Sequence, residues 1–225
     1  MGSIELNSRG ITVFCGSSSG DDPMYERAAK EVGVAIAKAG LRLIYGGGTK
    51  GLMGAVSTAC LEAGGQVHGI IPVAFLAAEA PPGSIPTNPR FKETNTASMH
   101  ERKQIMASEC DAFIGLPGGF GTLEECAEAS TWTQLGIHRK PVMLLNVNDF
   151  YSPLRSFIQG AVSSKFIAEL NEAFMIFVDR PTDADELFNW GDAALTSIRE
   201  WEAAGMGGGQ AYSLEWPENK RAELL

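Results

Sequence analysis

A chain of 225 residues, 44% hydrophobic and 20% charged, suits one soluble domain with a sizeable core. A net charge of −9 and the lack of a basic block argue against long-range attraction to nucleic acid or an anionic membrane, so any anionic ligand must be held by local groups. Cys15, Cys60, Cys110 and Cys126 show no CxxC or CxxH spacing and only three histidines are present, which disfavours structural zinc and a disulfide framework and predicts reduced, buried thiols.

From the start, Met1 to Leu6 lacks the charged and apolar regions of a signal peptide. No apolar run approaches the ~20 residues of a membrane span, so the cytoplasm is the expected compartment. Ile11–Cys15 reads as a strand and Pro23–Ala39 as a helix closed by Gly40. Leu41–Tyr45 is a second strand, followed by a helix over Gly51–Ala63 and a third strand at Val67–Ile71. The proline-rich stretch Ala78–Arg90 reads as a loop. Next come a helix over Thr96–Ser108, a strand at Ala112–Leu116, a helix over Thr122–Leu135 and a strand at Val142–Leu145. A helix near Ser152–Ser163, a short strand at Met175–Val178 and a helix around Asp183–Trp201 complete the series. Short apolar strands alternating with helices predict an α/β single domain, a doubly wound Rossmann-like parallel sheet with helices on both faces. Residues 1–201 are assigned to that domain. Residues 202–225, glycine-rich from Gly205 to Gly209 and then polar, read as a flexible or loosely docked extension with Trp216 as an anchor.

Ligands of such a sheet bind beyond the C-terminal ends of its strands, where Ser17, Gly46, Gly47, Gly48 and the run from Gly118 to Gly121 fall. The first glycine turn, Gly46 to Gly51, satisfies G-x-G-x-x-G, but the next strand ends His68-Gly-Ile-Ile-Pro72 without the acid a dinucleotide site requires. The order Thr49-Lys50-Gly51 also departs from a nucleoside-triphosphate loop. Two readings stay open for it: a structural turn, or a turn that cradles a ligand. The second turn is Pro117-Gly118-Gly119-Phe120-Gly121-Thr122-Leu123-Glu124-Glu125. A strand, a glycine-rich turn and a helix N-terminus make a phosphate site from backbone N–H groups. Thr122 and Glu125 also have capping-box spacing, and Glu124 suits the helix dipole, so Glu125 is either cap or catalyst. Upstream, Met99, Arg102 and Lys103 share one helical face; they form either a solvated charged face or the positive charge for a phosphate.

These motifs together resemble the LOG ("lonely guy") family, cytokinin riboside 5′-monophosphate phosphoribohydrolases also labelled possible lysine decarboxylases. The resemblance rests on Pro-Gly-Gly-x-Gly-Thr-x-x-Glu at 117–125 and Met99-His-x-Arg102-Lys103. It extends to Cys15-Gly-Ser-Ser, Tyr45-Gly-Gly-Gly and Trp132-x-Gln-Leu-Gly-Ile-His138-x-Lys-Pro141. It implies hydrolysis of the N-glycosidic bond of an N6-modified adenosine 5′-monophosphate, with neither metal nor organic cofactor. It implies Arg102 and Glu125 as the catalytic pair. Glu79, Met99, Lys103, the turn Gly118, Gly119, Phe120, Gly121, Thr122 and Glu124, and Thr131 are implied as nucleotide-binding, and a homodimer with the site near the subunit boundary is expected. Ser98 departs from the Asp common in plant members. Hydrolysis of plain AMP and a non-catalytic nucleotide-binding module are the alternatives.

Overall fold

The computed structural model describes residues 9–81, 83–84, 86–183, 188–205, 212 and 214. Seven strands form one sheet: β1 (Gly10–Phe14), β2 (Arg42–Tyr45), β3 (Gln66–Pro72), β4 (Phe91–Thr96), β5 (Ala112–Gly115), β6 (Val142–Leu145) and β7 (Met175–Val178). Every pairing is parallel and the order is β4-β3-β2-β1-β5-β6-β7. The chain moves outward from β1 to β4, then returns to the other side of β1 and moves outward again. That reversal opens a crevice past the C-terminal ends of β1 and β5, the place such sheets bind ligands.

The helices are α1 (Pro23–Lys38), α2 (Gly51–Glu62), α3 (Leu76–Glu79), α4 (Met99–Ser108), α5 (Phe120–Gln134), α6 (Ser152–Ser163) and α7 (Trp190–Ala203). Successive strand residues point to opposite faces, so Tyr45 and Ile114 pack with α1, α2 and α7, while Ile44 and Phe113 pack with α4 and α5. Both faces being covered explains why β1, β2, β5 and β6 are buried along their whole length. The four cysteines are free and buried.

Several elements depart from the sequence-based expectation. Strand β4, Phe-Lys-Glu-Thr-Asn-Thr, was not foreseen; it pairs only with β3, and an edge strand has no need of an apolar run. Before the expected loop the chain forms a short 3₁₀ turn (Val73–Phe75) and α3, whose last two residues, Ala78 and Glu79, fall within that loop. The helix expected from Thr96 starts at Met99, because Thr96 ends β4 and Ser98 is the N-cap, accepting from Glu101 N–H at 3.1 Å. The last helix starts at Trp190 instead of Asp183, with Asn189 accepting from Asp192 N–H at 2.9 Å; residues 184–187 lie outside the described residues. So do Trp216 and residues 206–209. Tyr212 does dock: its N–H donates to the Gln134 carbonyl at 2.8 Å, in the last turn of α5.

Helix α6 ends in a Schellman motif, with Lys165 N–H on the Val162 carbonyl and Phe166 N–H on that of Ala161, both at 2.9 Å. The position after the cap is left-handed, yet it is occupied by exposed Lys165 at φ 65°. Glycine carries no Cβ penalty there. Lys165→Gly is therefore expected to stabilise the protein by about 1 kcal/mol and to raise Tm by ~2–4 °C in a thermal melt.

Candidate active site

The two glycine turns are distinguished by who uses their backbone donors. At the first, Leu52 and Met53 N–H both point to the Gly16 carbonyl (3.1 and 3.4 Å) and Thr49 N–H donates to the Glu79 carbonyl at 2.8 Å. The N-terminus of α2 is thus occupied by the protein's own oxygens. Gly47 (φ 78°) presses on Ile70 and Ile71 and Gly51 (φ 56°) on Ser17, so these glycines serve close packing. Gly46 nevertheless reaches the cavity described below.

The second turn is different. Gly119 is the N-cap of α5 and, among the described residues, no side-chain cap bond closes that helix start. The N–H groups of Phe120, Gly121 and Thr122 precede the first intrahelical bond and are open to a ligand. The expected capping box is absent: Thr122 lies inside the helix, and Glu125 is a buried residue further along it. A pairing close to a capping box stands at α4 instead, where Ser98 caps and Glu101 Oε2 accepts the N–H of Ala97, one residue before the cap, at 2.7 Å. That also accounts for Ser98 in place of Asp, since both are good N-caps.

A cavity of about 360 Å³ sits at the crevice. Among the expected residues, Ser17, Gly46, Glu79, Met99, Arg102, Gly119, Phe120, Gly121, Thr122, Glu124 and Glu125 line it. Gly47, Gly48, Gly118, Lys103 and Thr131 do not. Gly118 instead gives Thr122 Oγ1 room, Gly48 packs on Met53, and exposed Thr131 donates to the Ala127 carbonyl at 2.8 Å. Lys103 Nζ bridges Glu124 (2.5 Å) and Glu128 (2.8 Å), tying α4 to α5. Burial pulls that ammonium group's pKa down, but the two carboxylates outweigh it and hold it above the usual lysine value. Phe75, Met53 and Cys15 also line the cavity and were missed. Apolar residues next to elements carry no signal of their own until the fold brings them together.

At the cavity wall Arg102 and Glu125 are both buried. Arg102 Nε donates to the Ile70 carbonyl at 3.1 Å and Nη2 to the Gly46 carbonyl at 3.2 Å. A Cβ at Gly46 would stand 2.1 Å from Nη2, so this glycine makes room for the guanidinium. Nη1 faces Met99 Sδ at 3.7 Å and Glu125 Oε1 at 3.8 Å. The latter distance is an ion pair without a hydrogen bond. Burial consequently prevails and pushes the Glu125 carboxyl up to about 7, with Arg102 opposing and Glu124 and Glu79 adding to the rise. Near neutral pH this acid is poised between its two forms.

An open helix N-terminus beside a poised buried acid, at the reversal of a parallel sheet, defines a Rossmann-like ligand-binding α/β protein. Residues 53–188 match the family model described as "Possible lysine decarboxylase". The cytokinin riboside 5′-monophosphate phosphoribohydrolase LOG of Oryza sativa subsp. japonica is 48% identical over 174 residues, covering 77% of this chain and 69% of that protein. A similarly named relative from Arabidopsis thaliana is 48% identical over 79% of this chain and 78% of its own length. The chain belongs to this family, the LOG or "possible lysine decarboxylase" family. A solved molybdenum cofactor carrier protein from Chlamydomonas reinhardtii, 20% identical, aligns with a TM-score of 0.61 over 88% of this chain and 99% of its own, which shows a shared fold.

The raised pKa of Glu125 has a consequence for stability. Between its ordinary 4.5 and about 7, the folded state holds a proton that the unfolded state releases. Stability must then fall as pH rises through that window. Glu125→Gln removes this term, so the stability difference, variant minus wild type, is expected to grow from pH 4.5 to pH 7.5 in urea titrations. A difference that stays constant across that range would contradict the raised pKa.

Proposed function

We propose that this protein hydrolyses the N-glycosidic bond of N6-modified adenosine 5′-monophosphates, releasing the free cytokinin base and ribose 5-phosphate. The observation that carries the reading is the buried Glu125, poised near neutrality, in the helix whose open N-terminus suits a 5′-phosphate. The names of the relatives support the substrate class.

Cleavage of a nucleoside bond builds positive charge on the ribose, in an oxocarbenium-like transition state. The Glu125 carboxylate stabilises that charge and takes a proton from the attacking water. The backbone N–H groups of Phe120, Gly121 and Thr122 hold the phosphate. Arg102 is tied to two backbone carbonyls, so its position is set before substrate arrives; this favours orienting Glu125 over chasing a phosphate. Lysine decarboxylation would use a pyridoxal phosphate aldimine on a lysine. Neither motif lysine fits: Lys103 is held as an ammonium by two glutamates, and exposed Lys50 donates to the Ala78 carbonyl at 3.4 Å. Ser17, Glu79, Met99 and Glu124 line the remaining wall for the nucleoside.

The same reading takes residues 1–201 as the hydrolase domain and 202–225 as an accessory extension, in the cytoplasm. No described helix is long and apolar enough to cross a membrane. A homodimer with the site near the boundary is supported by exposed apolar side chains in the first turns of α5: Phe120, which lines the cavity, is 92% exposed and Leu123 40%. Light scattering should then report a dimer, with Leu123→Asp shifting it toward monomer; a monomeric wild type would sink this part.

For activity, free base released from isopentenyladenosine monophosphate and from AMP is the measurement. The N6-substituted nucleotide is expected to be preferred, and Glu125→Gln to lower kcat/KM by about 10²- to 10⁴-fold with the fold intact. The wild-type rate should climb with pH and level off above about 7, the value to which Glu125 is raised. A preference for AMP would replace the cytokinin reading by a general AMP hydrolase, and full activity in Glu125→Gln would remove the catalytic role.

A further inference from the structure

The first glycine turn has a task that a phosphate site does not absorb. Residues Val73–Glu79 carry two side chains into the cavity, Phe75 and Glu79. Yet none of the residues from Val73 to Glu79 is buried. Half-buried Phe75, Leu76 and Glu79 and the buried Ala80 beside them leave the segment dependent on hydrogen bonds to its neighbours as well as on packing. Beyond the local bonds within the segment, the glycine turn supplies such bonds. Thr49 N–H donates to the Glu79 carbonyl at 2.8 Å, and the Thr49 hydroxyl lies 3.1 Å from the same oxygen. Ser84 Oγ, which donates its own proton to the Pro81 carbonyl at 2.7 Å, is a second acceptor for that hydroxyl at 3.0 Å, so the Thr49 proton is shared between the Glu79 carbonyl and Ser84 Oγ. Lys50 Nζ adds a donation to the Ala78 carbonyl at 3.4 Å.

We propose that Thr49 is a positioning residue for substrate recognition: it pins the backbone of Glu79 so that Glu79 and Phe75 face Arg102 and Glu125 across the cavity. This rests on the nucleotide-hydrolase reading. Glu79 supplies an acceptor for a hydroxyl or amine hydrogen of the substrate, and Thr49 touches no substrate itself. Left-handed Gly47 and Gly51 let the turn close between β2 and α2 while Thr49 projects toward the Glu79 carbonyl. The signature glycines thus act through a neighbouring segment.

The test is a double-mutant cycle on steady-state base release, with Thr49→Val, Thr49→Ser, Glu79→Gln and the Thr49→Val/Glu79→Gln pair. Loss of one neutral hydrogen bond corresponds to roughly three- to tenfold in affinity. Thr49→Val is expected to raise KM by about that factor, leaving kcat within about twofold. Thr49→Ser should restore KM. In the Glu79→Gln background Thr49→Val should add little. Lys50→Met, at an exposed position, gives a second arm should Thr49→Val fold poorly, with KM expected to rise about two- to threefold. Additive effects in the cycle, or an unmoved KM in both Thr49→Val and Lys50→Met, would overturn the proposal. A wild type that releases no base from any nucleotide would instead overturn the hydrolase reading on which it rests.

Discussion

A guanidinium removed from water must be surrounded by acceptors or it will not stay charged and buried. Arg102 meets that demand with the carbonyls of Ile70 in β3 and Gly46 after β2, and with Glu125 from α5 nearby. One side chain on α4 thereby joins two strand ends and a second helix. The local sequence answers to it: Gly46 has no Cβ because Nη2 occupies that space. Glu125 answers to it too, since an ion pair at 3.8 Å only partly offsets burial and leaves the acid near neutral pKa.

Backbone donors supply the other half of the site. Helix starts are equivalent in covalent chemistry, and what separates them is who takes their N–H groups. Asp22 caps α1, Ser98 caps α4 and the Gly16 carbonyl fills α2, whereas α5 begins on a glycine with no cap. The acids near the open helix start also find separate places. Glu124 and Glu128 share the single ammonium of Lys103, and Glu125 is set apart beside Arg102.

Much of the fold was legible because buried parallel strands must be apolar throughout and their helices are punctuated by glycine. β4 escaped, since an edge strand with one neighbour has no such composition, and α3 is too short for a period. The apparent capping box at Thr122 illustrates a further limit. Spacing alone admits Thr122-x-x-Glu125 and Ser98-x-x-Glu101 equally, and only the position of the helix start chooses between them. Phe75 and Met53 carried no signal because an apolar side chain looks the same in a core and in a cavity wall.

The sequence by itself determined the parallel α/β architecture, the family, and the pairing of a glycine-rich helix start with Glu125 and Arg102. These depend on periodicity and on residue types whose chemistry is local. The tertiary structure decided which helix start has its N–H groups taken by the protein's own oxygens, which lysine is already spent on glutamates, and how far Glu125 is removed from water. Those are questions of who else occupies the space and the hydrogen bonds, and the answers come from residues such as Gly16, Glu79 and Glu128 that are distant along the chain or silent in any motif.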